Sequence, residues 1–207
     1  MQAKFITLEG SEGAGKSTNL KFIAQWLQKR QLSVVTTREP GGTEIGEAIR
    51  EILLNPRFSE MTPETELLLM FAARSQHIQQ KIQPTLAEGK WVISDRFTDA
   101  SYAYQGAARG LAFERIAQIE NWVQHGFFPD LVFVFDLPVE VGMQRVQSRG
   151  EASDRFEQEQ KAFFEKVRQA YLQRAAQHPE RYCILDASQP LAEVQQQIVQ
   201  KLETLMQ

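Results

Sequence analysis

The chain has few of the residues that cross-link small secreted domains. Its 207 residues include one cysteine, Cys183, and three histidines. A lone cysteine cannot form an internal disulfide, which excludes a disulfide scaffold and makes a reducing cytoplasm the expected location. A chain of this length can bury about 70% of its unfolded surface, so it needs no disulfide or structural metal to fold. We therefore expect a single domain over residues 1–207.

Long apolar runs and a surplus of positive charge are also missing. No run approaches the ~20 residues that cross a bilayer, and Glu9 interrupts the first apolar run too early for a signal peptide. The formal net charge is −3, which argues against a general nucleic-acid or membrane binder. A site for one small anion needs only a few local cations, so that class of ligand stays open.

Five short apolar runs alternate with longer segments of helical period. The runs cover residues 5–8, 33–37, 91–94, 131–135 and 182–185, and the predicted helices cover 18–30, 63–88, 114–124, 140–149, 157–176 and 191–206. This alternation indicates βαβ units and predicts an α/β fold with a mostly parallel sheet covered on both faces. Ligands of such sheets bind beyond the carboxyl ends of the strands.

The segment after the first run carries the most specific motif. Residues 10–18 match G-x-x-x-x-G-K-[ST] between a predicted strand and a predicted helix. Backbone N–H groups of such a loop converge on phosphate oxygens, and the helix N-terminus adds partial positive charge. Lys16 would reach the β- and γ-phosphates, and the Ser17 hydroxyl would ligate Mg²⁺. The predicted ATP-binding residues are Gly10, Ser11, Glu12, Gly13, Ala14, Gly15, Lys16, Ser17 and Thr18. A glycine-rich turn that only connects strand and helix is the alternative.

Charged residues also follow the second and third runs. Asp95 and Arg96 end the third run, where the carboxylate could hold the hydration shell of Mg²⁺ and the guanidinium could fork onto a phosphate. Arg38 leads into a tight Pro-Gly-Gly turn at the same predicted sheet edge. A surface ion pair for Asp95 and Arg96, and a solvated Arg38, are the alternatives at this point.

A third group of cations lies in residues 145–157. Arg145 and Arg149 are four residues apart on one helix face, and Arg155 follows a short connection that starts at Gly150. Such a segment could close over a triphosphate as a lid and bring an arginine to the transferred group. Cations that stabilise a helix C-terminus are the alternative reading.

Four motifs together resemble bacterial thymidylate kinases. They are the loop of residues 10–18, Arg-Glu-Pro-Gly-Gly-Thr at 38–43, Asp-Arg-Phe at 95–97 and Ala-Tyr-Gln at 103–105. The loop is common to many kinases and GTPases, whereas the other three are more specific as a set. The resemblance implies a three-layer P-loop kinase fold with a five-stranded parallel sheet. It also implies transfer of the γ-phosphoryl group from ATP to dTMP with Mg²⁺, a role in dTTP supply, and a homodimer.

The resemblance also implies roles for single residues at the acceptor. Arg38 and Arg96 would hold the 5′-phosphate of dTMP. Arg74 would donate a hydrogen bond to a thymine carbonyl, helped by Ser101 and Gln105. Pro40, Tyr104, Glu12, Asp154 and Glu157 complete the implied acceptor site: Tyr104 would disfavour a 2′-hydroxyl, Glu12 would approach the 3′-hydroxyl side, and the last two would be lid carboxylates.

The implied catalytic residues are Lys16, Asp95, Arg96, Arg149 and Arg155. Arg145 and Arg149 would also bind ATP. Ser17 and Asp95 would bind the metal ion. In this bacterial type the loop has no arginine and the lid supplies one. That pattern fits residues 11–14, which contain none.

One position departs from the family pattern. The family commonly places an aromatic residue four positions before the base-reading arginine, where this chain has Met70, while Phe71 is three positions before Arg74. Either Met70 makes a softer contact with the thymine face, or the helix turns Phe71 toward it.

Two other functions stay open from the residues. Another nucleoside or nucleoside-monophosphate kinase of the same fold would share the loop, although a nucleoside acceptor would call for a carboxylate base in place of paired arginines. A nucleotide-binding switch is the other, but the Asn-Lys-x-Asp base-reading motif of GTPases does not occur in the chain.

Overall fold

The computed structural model describes residues 2–148 and 154–207, and within them the strands form a parallel five-stranded sheet. The sheet order is β2-β3-β1-β4-β5. The strands are β1 (Phe5–Glu9), β2 (Val34–Arg38), β3 (Trp91–Asp95), β4 (Leu131–Asp136) and β5 (Tyr182–Asp186). All five predicted strands are confirmed, each with bounds within one residue of the apolar run.

Helices connect the strands and cover the sheet. They are α1 (Lys16–Gln28), α2 (Glu44–Leu54), α3 (Pro63–His77), α4 (Gln83–Ala87), α5 (Thr98–Ser101), α6 (Phe113–Gln124), α7 (Val139–Gln147), α8 (Lys161–Gln177) and α9 (Leu191–Leu205). A 3₁₀ turn (Pro56–Phe58) precedes α3, a π-helical stretch (Ile78–Ile82) joins α3 to α4, and a second one (Tyr102–Ala108) continues α5. None of the described helices is both long enough and apolar enough to cross a membrane.

Several helical features differ from the sequence prediction. Helix α5 and the π-helical stretch that continues it were not predicted, and the single helix predicted over 63–88 is divided by the π-helical stretch Ile78–Ile82. Helix α2 was not predicted, although Thr43 caps it by accepting a hydrogen bond from the Gly46 N–H and Glu44 begins its first turn. Helix α8 begins at Lys161 rather than at residue 157. The preceding residues form a turn because Asp154 Oδ1 accepts the N–H groups of residues 156 and 157.

Both faces of the three central strands, β1, β3 and β4, are buried, whereas the edge strands β2 and β5 are partly exposed. On β4, Phe133 and Phe135 pack in a cluster with Leu27 of α1 and Ile198 of α9, while Val134 points to the other face and packs with α8. Successive strand residues alternate between faces, so helices on both sides require apolar residues at every position. This explains why the strands are continuous apolar runs rather than alternating patterns.

The strand register brings charged residues to one edge of the sheet. Asp95 is level with Arg38 across β2 and β3, and with Leu8 across β3 and β1. The glycine-rich loop leaves the same edge after Glu9 and leads into α1. The central strands therefore deliver the loop, Asp95 and Arg38 to a common place, as expected for a doubly covered parallel sheet.

Candidate active site

A cleft of about 270 Å³ lies beyond the carboxyl ends of β1, β2 and β3. Residues 12–18 of the glycine-rich loop form one wall. Nine further residues predicted for the site also line the cleft: Arg38, Pro40, Met70, Arg74, Asp95, Arg96, Tyr104, Gln105 and Asp154. The structure thus brings together most of the residues that the four motifs singled out.

The glycine-rich loop is held close to its neighbours. Gly13 has φ 75° and Gly15 has φ 89°, which L side chains rarely adopt. A Cβ at Gly13 would overlap the backbone of Gly142 in α7, whose Cα would be 2.8 Å away. Lys16 is buried, and its Nζ donates hydrogen bonds to the carbonyl oxygens of Gly10 at 2.8 Å and Ser11 at 2.9 Å.

The Arg96 side chain is held in place by contacts with the glycine-rich loop, with α8 and with the π-helical stretch that follows α5. Its φ of 70° is uncommon for a residue with a side chain, and such strain concentrates at functional sites. Its Nη2 donates to Glu12 Oε1 at 2.6 Å and its Nη1 to the Tyr171 hydroxyl at 3.3 Å, while the guanidinium lies 4.8 Å from the ring centre of Tyr104. The Tyr104 hydroxyl also donates to Glu12. One carboxylate therefore organises the cation and the aromatic ring.

Glu12 is ionised in this arrangement. Burial favours its neutral form, but the positive charges of Arg96 and Lys16 outweigh burial and lower the pKa of Glu12. The part of the cleft around Arg96 thus carries a carboxylate as well as cations.

The second strand and helix α2 add two arginines to the cleft. The Arg38 side chain is 53% exposed and pairs with Glu47 at 2.7 Å. Arg50 also lines the cleft and donates to the carbonyl oxygen of Pro40 at 2.8 Å. Sequence reasoning missed Arg50 because it missed α2; the capping residues at 43 and 44 were the signal that could have located this helix.

Arg74 lies at the far end of the cleft with only 1% of its surface exposed. Its Nη1 donates to Ser101 Oγ at 3.0 Å and its Nη2 to the Phe97 carbonyl oxygen at 3.1 Å. Ser101 is buried behind Arg74 and is not part of the cleft lining. Gln105 lines the cleft and donates to the buried carboxylate of Glu66 at 2.7 Å. The sequence analysis did not select Glu66.

The structure separates the two candidates for the thymine face. Met70 lines the cleft, whereas Phe71 is buried in a core cluster with Leu67 and Ile116. The guanidinium of Arg74 lies 4.5 Å from the ring centre of Phe71. The option that Phe71 faces the cleft is therefore corrected: the phase of α3 turns it inward, where it supports Arg74 from behind.

The predicted lid residues are only partly gathered at the cleft. Arg145 donates to the Gly13 carbonyl oxygen at 3.3 Å, and Glu157 lines a second cavity behind the loop with Ser11. Arg149 lies outside the described residues. The prediction for Arg155 needs correction for this structure, because its guanidinium is buried 2.6 Å from Glu66 and its Nε donates to the Leu53 carbonyl oxygen at 2.8 Å. It therefore lies away from the glycine-rich loop.

Asp95 and Ser17 offer suitable donors for Mg²⁺. Oδ1 of Asp95 is buried and accepts no hydrogen bond from any residue that the structure describes. The Ser17 side chain is exposed at the loop wall of the same cleft. A carboxylate and a hydroxyl are oxygen ligands of the kind that Mg²⁺ takes together with phosphate oxygens and water. The residues present therefore fit this ion.

Comparison with known proteins gives a consistent result. The family model described as thymidylate kinase matches residues 8–198. The chain belongs to the thymidylate kinase family. It is 58% identical to a thymidylate kinase of Ectopseudomonas mendocina over 207 residues, covering 100% of this chain and 98% of that protein. It is 62% identical to one of Pseudomonas entomophila over 198 residues, covering 96% and 94% of the two chains.

A solved structure agrees with this assignment. The crystal structure of thymidylate kinase from Ehrlichia chaffeensis superposes with a TM-score of 0.79 at 29% identity and covers 98% of this chain and 99% of that one. The resemblance drawn from the four motifs, the α/β P-loop kinase fold and the phosphotransferase class are thereby confirmed.

Proposed function

We propose that this kinase transfers the γ-phosphoryl group of ATP to dTMP, which yields ADP and dTDP for dTTP synthesis. The observation that carries the proposal is one cleft with a phosphate-binding loop at one wall and several arginines at the other. A triphosphate and a monophosphate repel each other, so a site for both needs cations on both sides. Lys16 serves the donor, and Arg38, Arg50 and Arg96 serve the acceptor phosphate.

On the donor side, residues 10–18 bind the phosphates of ATP through backbone N–H groups, and Arg145 lies behind the loop at Gly13. Ser17 and Asp95 would hold Mg²⁺, which would neutralise negative charge on the phosphates. Lys16 turns from its own loop carbonyls toward the phosphates, since an ammonium group gains more from an anion than from a neutral oxygen.

The protonation state of Lys16 gives a test of this arrangement. Burial and the charge of Arg96 lower the pKa of Lys16 to about 8, although nearby carboxylates act in the opposite direction. A bound triphosphate raises this pKa again, so binding takes up a proton where the empty site has lost it. We expect an uptake of about half a proton per site at pH 8, growing toward pH 9 and fading toward pH 7. Calorimetric titration in two buffers of different ionisation enthalpy measures it, and a pH-independent uptake would contradict the prediction.

On the acceptor side, the planar forks of Arg38 and Arg96 suit a phosphate better than lysine would. The attacking group is an oxygen of the dTMP phosphate. The second pKa of a phosphate monoester is near 6, so this phosphate is already fully ionised at neutral pH. No strong general base is required, and the chain's task is to hold two anions in line and to neutralise charge.

The far end of the cleft suits a thymine base and a deoxyribose. Arg74 and Gln105 present N–H donors toward the carbonyl groups of the base, and Met70 provides an apolar contact with its face. Tyr104, fixed by its hydrogen bond to Glu12, crowds the sugar where a ribonucleotide carries its 2′-hydroxyl. Asp154 lies at the same wall and completes the acceptor site.

We also propose that the kinase is a homodimer. Exposed apolar side chains of α2 and α3, Ile45, Ile52 and Leu68, support a self-association surface. Sedimentation of the purified chain tests this directly: twice the chain mass of 23.7 kDa is expected, and the single-chain mass at micromolar concentration would contradict it.

A panel of acceptors tests the proposed activity. Initial rates of ADP release are measured with dTMP, dUMP, dCMP, AMP and the ribonucleotide of thymine at fixed ATP and Mg²⁺. The highest kcat/KM is expected with dTMP, and the ribonucleotide should be a poor acceptor because Tyr104 leaves little room beside the sugar. A preference for AMP or dCMP would assign the chain to another monophosphate specificity.

A further inference from the structure

Arg74 belongs to a buried chain of polar side chains that includes Glu39, a member of the motif at residues 38–43 to which the resemblance assigned no role. We propose that Glu39 and His77 are positioning residues, which fix the guanidinium of Arg74 and thereby set the preference for thymine over cytosine. The inference rests on the proposed function, because it concerns how the base of the acceptor is distinguished.

The contacts form one continuous chain from β2 to the cleft. Glu39 Oε2 accepts a hydrogen bond from Arg74 Nε at 2.8 Å, and Glu39 Oε1 lies 2.9 Å from His77 Nδ1. On the other side of the ring, His77 Nε2 lies 2.7 Å from the hydroxyl of Thr37. All four residues are buried, so water competes little for these hydrogen bonds.

The orientation of the Arg74 guanidinium follows from the acceptors that its N–H groups contact. A guanidinium has five N–H groups in a rigid plane. Glu39, Ser101 and the Phe97 carbonyl oxygen each accept one of them, which leaves one N–H on each terminal nitrogen without a partner among the described residues. Glu39 is the one ionised acceptor of the three, so its hydrogen bond to the guanidinium adds the attraction of opposite charges, which is strong where water is excluded. Glu39 therefore contributes most to where the two remaining donors point.

Glu39 is itself held from behind. Burial favours its neutral form, but the charge of Arg74 and the hydrogen bond from His77 outweigh burial and lower the pKa of Glu39. The ring of His77 lies between Glu39 and Thr37, with Nδ1 facing the carboxylate and Nε2 facing the hydroxyl. Gly42 closes the remaining side, because a Cβ there would lie 2.6 Å from His77 Nε2 and 2.7 Å from Thr37 Oγ1. The imidazole ring thus has no room to turn away.

The base preference follows from donor and acceptor chemistry. Thymine presents a carbonyl oxygen at the position where cytosine presents an amino group. A fixed N–H donor forms a hydrogen bond with the carbonyl oxygen of thymine, but it faces another donor in the amino group of cytosine. If Glu39 no longer fixes the guanidinium of Arg74, thymine loses a hydrogen-bond donor and cytosine loses a repulsive contact. The preference for thymine over cytosine therefore falls. Uracil has the same carbonyl as thymine, so discrimination between these two bases does not depend on Arg74.

The test compares Glu39→Gln with Glu120→Gln. The amide of glutamine keeps the volume of Glu39 but turns one oxygen into a donor that opposes either Arg74 or His77. Glu120 is also a buried carboxylate and accepts the hydroxyl of Tyr102 away from the cleft, so its variant controls for neutralising a buried glutamate. For each protein, kcat/KM is measured with dTMP, dCMP and dUMP, together with the KM for ATP and the thermal unfolding midpoint.

In Glu39→Gln we expect the dTMP-to-dCMP ratio of kcat/KM to fall by about tenfold or more, in proportion to the loss of one charge-assisted hydrogen bond. The dTMP-to-dUMP ratio and the KM for ATP should stay close to wild type, and Glu120→Gln should leave both ratios and the KM for ATP unchanged. A residue with a purely structural role would lower activity on every acceptor alike.

An unchanged dTMP-to-dCMP ratio in a folded Glu39→Gln protein would overturn the inference. If this variant does not fold, Thr37→Val decides, since it removes only the hydroxyl behind His77: a smaller fall of the same ratio supports the inference, and an unchanged ratio overturns it. A wild-type chain without activity on dTMP would overturn the proposed function and this inference with it.

Discussion

Replacing Arg96 with alanine is expected to lower kcat/KM for dTMP by about a thousandfold or more, because an arginine placed on a transferring phosphate contributes rate factors of that order. Arg96 is a cation that we propose for the acceptor phosphate. Its backbone is held by hydrogen bonds from its N–H to the Leu8 carbonyl oxygen at 3.0 Å and from Ser94 Oγ to its own carbonyl oxygen at 2.7 Å. Without the guanidinium, Glu12 faces the incoming phosphate as an unbalanced negative charge.

The Arg96→Ala experiment needs a folded protein and a charge control. Arg115 is an exposed arginine on α6, away from the cleft, so Arg115→Ala removes the same charge without touching the site. Rates with dTMP are compared for the two variants alongside their unfolding midpoints. Arg115→Ala should keep wild-type rates, and an Arg96→Ala enzyme with rates near wild type would remove Arg96 from the mechanism.

Lys16→Met is the second substitution with a large expected effect. Methionine keeps an unbranched apolar side chain but removes the ammonium group that would neutralise the β- and γ-phosphates. Loss of one well-placed donor of this kind lowers kcat by about 10²–10³. The fold should tolerate the change, because among the described residues the hydrogen bonds of Nζ go to carbonyl oxygens of its own loop and form no ion pair.

Lys21→Met provides the matched control on the same helix. Lys21 is exposed on α1, so this substitution removes an equal charge outside the cleft. Single-turnover rates of phosphoryl transfer, measured by rapid quench, are the appropriate readout, because they separate the chemical step from product release. A slow chemical step is expected in Lys16→Met and not in Lys21→Met. Equal rates for both variants would show that the ammonium group has no part in the transfer.

The central strands were predictable because they are buried on both faces. A strand covered on both sides is mostly apolar, which makes runs such as residues 131–135 stand out from the helical segments. The glycine-rich loop was equally clear, since backbone contact with phosphate restricts the residues that can form it. Sequence alone therefore located the edge of the sheet where the site lies.

The residues that escaped prediction depend on tertiary contacts. Glu39 and His77 are separated by 38 positions along the chain and meet only when α3 packs beside β2. Arg155 illustrates the same limit, because a charge pattern does not distinguish a phosphate from the buried carboxylate of Glu66 as its partner. Met70 and Phe71 are adjacent on α3, so they face directions about 100° apart around the helix axis. The apolar periodicity of the sequence does not show which of the two faces the cleft.

The central claim is that the acceptor site binds a phosphate group and not an unphosphorylated nucleoside. Initial rates with dTMP and with thymidine, measured side by side at saturating ATP and Mg²⁺, test it most directly. The paired arginines predict rapid formation of dTDP from dTMP and almost no formation of dTMP from thymidine. A rate with thymidine that equals or exceeds the rate with dTMP would contradict the account.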